Sequence, residues 1–526
     1  MRIPSHSLPR RASLPLSAAL VVLLSACGGG TESNTGGSVN PSTAPGTLIQ
    51  DPPLRVSSLS GAEFTARLGA SAAGQGLVAL AGSPKCGVDF HYMEYQTVGA
   101  KGEAVNATGA LMVPSGTDAA CTGPRPVVVY AHGTSADKRY NLANIADSSN
   151  SGASEGTLLA AAYAAQGYIV VAPNYVGYDK STSTYHPYLN ADQQAKEMMH
   201  ALAAARTAMP RLLAPTSENG KVFVLGYSQG GHVAVATQKA MEAAGQKVTA
   251  VASGSGPLAL SALVDAAFTG KPIAGGTVFS PLLTTSYQNA YGNLYSKPSD
   301  MYNDPYAASA ESIVSPMTLS ELLASGKVAP VSMFSTTFKT FLEGNGITVP
   351  ANFVPLFAAT EAAAQVKTTY AQSVVADIVA NSCTPASAGA DLTCKPANGL
   401  RAAAAKNDLR SFMPKAPLLM CFGANDPTVF SAGSTLANAY YQAKGQAAGL
   451  TPVQTATMFP MVDVDSASGG AADPFGPLKV GFAGWKTSVA TAAGGGVAGQ
   501  MAVVSAYHSG VAPFCAVAAR GYFGKF

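Results

Sequence analysis

The sequence predicts an α/β protein with a mostly parallel central sheet flanked by helices and a large, mainly helical insertion. Short apolar segments rich in β-branched residues alternate with longer segments of helical periodicity, which is the pattern of strand–helix–strand units. This alternation stops near Gly256 and resumes near Pro417. Because 47% of the 526 residues are hydrophobic and only 12% are charged, the chain can build a large core.

The elements before the interruption begin with two antiparallel strands. Residues 90–98 and 104–113 alternate in polarity and flank a glycine-containing turn. Solid apolar runs then predict buried parallel strands, and alanine-rich periodic segments predict the helices between them. In chain order these are strand 126–131, helix 157–166, strand 168–172, helix 192–209, strand 222–225, helix 231–244 and strand 248–252.

The interrupted stretch, residues 257–412, is predicted to form a cap over the carboxyl edge of the sheet, where ligands bind in open α/β sheets. Helical segments are expected at 319–324, 334–342 and 360–380. We expect apolar residues of this stretch to build the cap's own core rather than to line a pocket. They include Met333, Phe334, Phe338, Phe341, Phe353 and Phe357. After the cap, the expected elements are strand 417–422, helix 434–444, a strand near 453–459 and a C-terminal helix after His508.

The N-terminus has the features of an export signal. A basic start precedes an apolar stretch at 14–24 that is too short to cross a membrane. Leu24-Ser25-Ala26-Cys27 resembles a bacterial lipobox, in which the cysteine is lipidated, although simple cleavage after Ala26 is an alternative. We predict a signal peptide at 1–26 and a flexible tether at 27–60. The two parts of the core are expected at 61–256 and 413–526.

These features predict an exported protein of the bacterial cell envelope, anchored at the outer membrane by a lipid on Cys27, or secreted. The signal contains three arginines and no acidic residue, so its removal reduces 32 Lys and Arg to 29, against 29 Asp and Glu. This balance argues against nucleic acid as a partner. We expect membrane contact only through the N-terminal anchor, and the sequence leaves the oligomeric state open.

Six cysteines outside the lipobox indicate disulfide bonds, as expected for an exported protein. One pair brackets a short loop. Another joins the end of a predicted strand to a position soon after a C-terminal histidine. Free buried thiols are the alternative. The predicted pairs are Cys86–Cys121, Cys383–Cys394 and Cys421–Cys515.

A candidate nucleophile lies in Gly226-Tyr227-Ser228-Gln229-Gly230, between a predicted buried strand and a predicted helix. A chain that passes from strand to helix over two residues holds the intervening residue in a strained conformation, and glycines on both sides make room for the bend. The serine hydroxyl should therefore project from the end of the sheet. We predict Ser228 as a nucleophile.

A second segment, Gly152-Ala153-Ser154-Glu155-Gly156, fits the same pattern. A polar stretch at 144–151 precedes it in place of a strand, so there is nothing for the chain to bend away from. We interpret Ser154 as a loop and helix-entry residue.

A serine nucleophile needs a base, and the base needs an orienting carboxylate. His508 is the one histidine downstream of the helix that follows Ser228, so we predict it as the base. Asp426 directly follows a predicted strand and is our candidate acid. Asp463 and Asp465, near the next predicted strand, are rivals whose surroundings fit a solvated loop.

Acyl transfer also needs donors for the oxyanion, and two backbone N–H groups usually supply them. Gln229, next to the nucleophile, would supply one. Thr134, in the loop after strand 126–131, would supply the other, with Gly133 allowing a close turn. We expect His132 to fix this loop by hydrogen bonding. An ordinary strand-ending turn is the alternative.

Together with segments 130–134, 172–178 and 186–189, these motifs make the chain resemble the secretory-lipase type of α/β-hydrolase, including bacterial secreted lipases and esterases. The resemblance covers about 86–256 and 417–526. It implies an α/β-hydrolase fold and a triad in the order Ser, Asp, His. It also implies hydrolysis of carboxylic esters, with a lipid, acyl or cell-wall ester as substrate and without metal or cofactor. Such enzymes commonly have aspartate where Asn174 stands, a departure that bears on packing behind the oxyanion loop and leaves the triad untouched.

Two other functions stay open. A serine peptidase on the same fold would share the triad and oxyanion donors, but it usually needs acidic residues that hold a substrate amine, and the cap shows no obvious carboxylate cluster. A silent surface lipoprotein would use the scaffold only to bind a ligand or partner. The filled triad positions argue against that alternative.

Overall fold

The structure is a computed structural model that describes residues 43–212 and 215–526. The predicted signal peptide at 1–26, the lipidation of Cys27 and the first part of the predicted tether lie outside these residues.

A nine-stranded sheet forms the centre of the protein. Its strands are β1 (Leu54–Leu59), β2 (Gly87–Val98), β3 (Ala104–Ser115), β4 (Gly123–Ala131), β5 (Ile169–Pro173), β6 (Thr216–Tyr227), β7 (Ala250–Gly254), β10 (Leu418–Phe422) and β11 (Met461–Asp463), and the short pair β8 (Phe334–Ser335) and β9 (Phe357–Ala358) lies apart. The order in the sheet is β1-β2-β3-β5-β4-β6-β7-β10-β11. Neighbours are antiparallel from β1 to β5 and parallel from β5 to β11, which confirms the predicted α/β architecture.

Helices cover both faces of this sheet, as the strand–helix alternation predicts. They are α1 (Gly61–Gly69), α2 (Ala72–Ala81), α3 (Ala153–Ala162), α4 (Ala191–Leu212), α5 (Gln229–Ala243), α6 (Leu260–Phe268), α7 (Gly276–Tyr291), α8 (Tyr306–Ser309), α9 (Leu319–Ala324), α10 (Thr336–Gly344), α11 (Thr368–Ala380), α12 (Gly399–Lys406), α13 (Ala432–Ala447), α14 (Pro452–Met458), α15 (Gly476–Ala492) and α16 (Gly496–Phe523). Helices α4 and α5 pack together on the sheet, and α2, α3 and α16 form a second packed group.

The insertion has a hydrophobic core of its own, built almost wholly from residues between Leu260 and Ala404. Phe334 and Phe338 are fully buried there, so these phenylalanines pack within the cap as expected. Met333 belongs to the same core but also lines a cleft, which the sequence did not lead us to expect. Arg401, 1% exposed, binds Asp265 at 2.7 Å and Asp377 at 2.6 Å, which ties α12 to α6 and α11. A buried guanidinium needs such partners, because an unpaired charge in the interior is costly.

The strand predicted near 453–459 is wrong, because this segment forms the helix α14. Thr451 caps the helix by accepting from the Gln454 N–H, the Gln454 side chain bonds back to the Thr451 N–H, and Pro452 occupies the first turn. The capping box and the proline favour a helix here more strongly than the alternating polarity of the segment favours a strand. The strand follows it, as β11.

The predicted flexible tether at 27–60 ends earlier than the sequence indicates. Leu48 is 5% exposed and bridges to Tyr95, and β1 extends the sheet by pairing with β2. The part of the tether segment that the structure describes is therefore an edge of the fold.

The last helix begins before His508 and not after it, since α16 runs from Gly496 and is preceded by the unanticipated α15. Positive φ angles at Gly494, Gly495 and Gly496 make the turn between the two helices. By length and composition α16 could cross a membrane, but its C-terminal half packs against β6, β7 and β10.

Glu197 on α4 makes stability depend on pH. The side chain is fully buried, Gln193 donates to one of its oxygens at 3.1 Å, and burial raises the pKa of Glu197 to about 8. The folded state therefore holds a proton that the unfolded chain releases near pH 4.5. Through this group, stability is highest below that pH and falls as the pH rises towards 8.

We expect Glu197→Gln to remove this dependence, because the amide is neutral and similar in shape. The variant should gain roughly 3 kcal/mol relative to the wild type between pH 5 and pH 8. Urea unfolding at both pH values measures the gain. Glu343→Gln, at a side chain that is 43% exposed, is the control and should show no such trend. Parallel pH profiles for Glu197→Gln and wild type would contradict the assignment.

Candidate active site

The turn between β6 and α5 holds Ser228 in the strained conformation that the sequence predicts, with φ 58° and ψ −121°. Both flanking glycines are required by close backbone contact. A Cβ on Gly226 would lie 1.9 Å from the Gly230 oxygen, and a Cβ on Gly230 would lie 1.9 Å from the Ala131 oxygen. No other residue type fits either position, so the sharp turn follows from the sequence.

The structure brings Ser228, His508 and Asp426 together, although they come from the β6–α5 turn, from α16 and from the loop after β10. His508 Nε2 lies 2.8 Å from Ser228 Oγ, and His508 Nδ1 lies 2.6 Å from Asp426 Oδ2. With Asp426 accepting the proton on Nδ1, the Nε2 lone pair faces the serine hydroxyl. This is the geometry that removal of the hydroxyl proton requires.

The Asp426 carboxylate is held rigidly. Its second oxygen accepts from the backbone N–H groups of Thr428 and Val429 at 2.9 and 3.1 Å, and the side chain is fully buried. The Tyr227 hydroxyl donates to the His508 carbonyl oxygen, which holds the backbone of α16 at this position. The orientation of the imidazole is set by the contact of its Nδ1 with Asp426 Oδ2.

The rival acids lie behind this loop and do not contact His508 in the part of the chain that the structure describes. Asp463 accepts from the Ala424 N–H at 3.0 Å. Asp465 pairs with Lys486 and accepts from the Tyr507 hydroxyl at 2.6 Å. Its side chain is only 3% exposed, so the expectation of a solvated loop is wrong. Both residues support the loop that carries Asp426.

Three disulfides, Cys86–Cys121, Cys383–Cys394 and Cys421–Cys515, match the predicted pairs. The third connects β10 to α16, and thus the strand before Asp426 to the helix that carries His508.

Residues 132–134, which we call the oxyanion loop, lie beside the nucleophile. A Cβ on Gly133 would be 3.8 Å from Ser228 Cβ. The His132 ring stacks between Tyr140 and Tyr175, with Nδ1 2.6 Å from the Gly133 oxygen and Nε2 3.0 Å from the Asn174 oxygen. The expectation that His132 fixes this loop is confirmed.

Two backbone N–H groups at the site are available to a substrate. Among residues 43–212 and 215–526, neither Thr134 N–H nor Gln229 N–H donates to a protein atom, whereas the Thr134 hydroxyl contacts the Tyr188 hydroxyl at 2.9 Å. Unpaired N–H groups near a nucleophile suit an oxyanion.

Asn174 suits its position better than aspartate would. Its oxygen accepts from the Leu142 N–H and its NH₂ donates to Thr108 Oγ1, both at 2.9 Å. The Thr108 hydroxyl already donates to Asp179 at 2.9 Å, so it needs a donor here and not a second carboxylate.

Sequence reasoning missed the partner of the Gln229 side chain. His186 is fully buried, and burial lowers its pKa to about 3, so the ring is neutral. Its Nδ1 contacts the Val176 oxygen at 2.8 Å, which leaves Nε2 to accept from Gln229 Nε2 at 2.6 Å. The motif at 186–189 marked this histidine without indicating its role.

An apolar cleft of about 880 Å³, including its open mouth, leads away from Ser228. It runs between α6 and α7 of the cap and the loop after β10. None of the described residues that line it is charged. The apolar residues that line it include Tyr188, Leu260, Leu263, Leu283, Met333 and Val429.

No family model and no curated protein matches the chain. Several solved structures, however, are similar to this chain. A ligand-bound form of LipA, a rice cell wall degrading esterase from Xanthomonas oryzae, is 25% identical over 91% of this chain and 98% of its own, with a TM-score of 0.63. Another structure of LipA is 26% identical over 83% of this chain and 95% of its own, with a TM-score of 0.60. A protein of Legionella pneumophila is 18% identical over 84% of this chain and 97% of its own, with a TM-score of 0.57, and supports the fold alone.

Proposed function

Since the chain has the α/β-hydrolase fold, we propose that it is an exported serine esterase or lipase that cleaves carboxylic esters through an acyl-enzyme. The observation that supports this most directly is the contact of 2.8 Å between Ser228 Oγ and His508 Nε2 at the mouth of an uncharged cleft. The likeness to LipA, an esterase, adds support for ester chemistry.

In the proposed mechanism, Ser228 Oγ attacks the ester carbonyl while His508 Nε2 takes the hydroxyl proton. The carbonyl oxygen becomes an oxyanion, and the N–H groups of Thr134 and Gln229 stabilise it. Asp426 stabilises the imidazolium. Collapse of the intermediate breaks the bond to the alcohol, which leaves with the proton from His508. Water then attacks the acyl-enzyme by the same steps and releases the carboxylic acid.

The cleft favours an apolar acyl group as the part of the substrate that it binds. A cleft without charge cannot compensate the desolvation of a charged group, whereas each buried CH₂ contributes about 0.8 kcal/mol. A peptidase that binds a substrate amine would need a carboxylate, and the described lining residues include none. We therefore place ester hydrolysis above peptide hydrolysis.

Turnover of p-nitrophenyl esters from acetate to palmitate, run beside aminoacyl anilides, tests the proposal. We expect esters of medium or long chains to be hydrolysed best and anilides not at all. Leu283→Trp should fill the cleft and lower kcat/KM for long esters about tenfold relative to acetate. Leu319→Trp, at an exposed cap position, is the matched control. Preferential anilide cleavage would favour the peptidase, and no turnover together with no fluorophosphonate labelling would favour a silent binding protein.

We also propose export to the cell envelope, with lipid on Cys27 as the anchor. Three disulfides support an oxidising compartment. Cell fractionation tests this: recovery in the cytoplasm would contradict export, and recovery only in the culture fluid would contradict the anchor.

A further inference from the structure

We propose that Glu155 is the positioning residue of the oxyanion loop, acting through the Gly133 N–H to fix the peptide that presents the Thr134 N–H. This inference rests on the proposed hydrolase function. It concerns the second Gly-x-Ser-x-Gly segment, 152–156, whose serine lies exposed in the first turn of α3.

The glycines of that segment serve close packing and not a nucleophile. A Cβ on Gly152 would lie 2.9 Å from the Asn141 nitrogen, and a Cβ on Gly156 would lie 2.6 Å from the Leu142 oxygen. Both contacts are too short for any side chain. The two glycines therefore let the first turn of α3 lie against residues 141 and 142, which brings Glu155 to the end of β4.

The Glu155 carboxylate collects three donors there. One oxygen accepts from the Tyr130 hydroxyl at 2.6 Å and from the Gly133 N–H at 3.1 Å, and the other accepts from the Tyr140 hydroxyl at 2.5 Å. Burial and the nearby carboxylate raise the pKa of both phenols well above 10, so both remain donors. The two phenols fix the carboxylate in place, and the carboxylate in turn fixes Gly133.

The opposite side of Gly133 is held too. Burial lowers the pKa of His132, so the neutral ring donates one hydrogen bond, and its nearer acceptor is the Gly133 oxygen at 2.6 Å. In a trans peptide the C=O and the following N–H point in opposite directions. With the Gly133 oxygen on His132, the Thr134 N–H is directed to the other side of the loop. The Gly133 N–H is already bound to Glu155, which leaves Thr134 as the donor of this loop.

A preorganised donor stabilises an oxyanion because it needs no reorientation during the reaction. Loss of Glu155 should therefore weaken transition-state binding more than substrate binding. A merely structural role would instead lower the melting temperature and the fraction of folded enzyme, and would leave kcat per labelled site unchanged.

The test compares Glu155→Ala, Glu155→Gln and Tyr140→Phe, with active sites counted by fluorophosphonate labelling. Glu155→Ala should lower kcat for a p-nitrophenyl ester about 10- to 100-fold and change KM by no more than about twofold. The loss of kcat should not exceed that caused by removing an oxyanion donor altogether, because the Thr134 N–H is displaced and not deleted. Affinity for a trifluoromethyl ketone, whose adduct with Ser228 carries an oxyanion, should fall in parallel. Glu155→Gln keeps an acceptor oxygen for Gly133 and should recover most of kcat.

Tyr140→Phe removes one of the two phenols that fix the carboxylate and leaves the Gly133 contact in place, so it should lower kcat less than Glu155→Ala does. Thr157→Val is the structural control, because it removes the hydrogen bond from Thr157 Oγ1 to the Ala153 oxygen on α3 and no contact of Glu155. It should lower the melting temperature and keep kcat. If Glu155→Ala does not fold, Glu155→Asp, which withdraws the carboxylate by one methylene, should lose about tenfold in kcat. Wild-type kcat per site and wild-type ketone affinity in the folded variant would overturn the role of Glu155. Absence of ester turnover by the wild type would instead overturn the proposed function.

Discussion

Ser228→Ala is expected to abolish ester hydrolysis, and Ser154→Ala is expected to leave it unchanged. The two serines occupy the same Gly-x-Ser-x-Gly pattern, but Ser228 alone of the two contacts a histidine, at 2.8 Å from His508 Nε2. Removal of a serine nucleophile lowers kcat by about 10⁵-fold or more, because the covalent route is lost. Turnover of a p-nitrophenyl ester and labelling by a fluorophosphonate probe measure the effect in both variants.

The Ser228→Ala fold should stay intact. The substitution removes one oxygen and keeps the Cβ, so the conformation at φ 58° remains as accessible as before. An unchanged melting temperature together with lost labelling is the expected pair of results. Retained turnover in Ser228→Ala, or lost turnover in Ser154→Ala, would remove the central assignment.

Loss of the Cys421–Cys515 disulfide is expected to reduce both stability and kcat. The bond closes a loop of 94 residues, and a loop of that length gives a stabilisation of about 4.7 kcal/mol when the chain entropy of the unfolded state dominates. It also ties β10, which precedes Asp426, to α16, which carries His508. Without it, the acid and the base are held together by packing, by their own hydrogen bond and by the Tyr507 hydroxyl, which accepts from the Asn425 N–H at 3.2 Å.

The Cys383–Cys394 disulfide is the matched control, because it spans 11 residues within the cap and contributes no link between triad elements. Double Cys→Ser variants at each bond, compared by urea unfolding and by kcat per labelled site, separate the two effects. We expect a smaller loss of stability and wild-type kcat at the cap bond. Equal losses of kcat at both bonds would contradict a specific role for Cys421–Cys515.

The positions of the three triad residues could be predicted because each has a local signature. Ser228 sits between glycines that no other residue can replace, Asp426 follows a solid apolar strand, and His508 has no rival downstream. Chain order and a shared sheet edge supply the rest of the argument. The helix around His508 was harder to predict, because α16 lacks a polar face and its apolar positions therefore show no clear period.

Side-chain networks that cross the fold could not be predicted in the same way. Glu155 meets Gly133 because two glycines allow one helix to approach a distant loop, and His186 meets Gln229 because both are buried at the same end of the sheet. Neither pair of residues forms a motif with a recognisable spacing in the sequence. The cleft could not be predicted from the sequence either, because its walls come largely from the cap, whose helices pack on one another and not on the sheet.

The self-contained core of the cap has an evolutionary consequence. Ser228, Asp426 and His508 all lie outside the cap, whereas most of the residues that line the cleft lie within it. Mutations that reshape the wall are therefore selected separately from those that affect bond cleavage. Related enzymes can change their substrate range by exchanging or remodelling this one module, while the reaction that they perform stays the same.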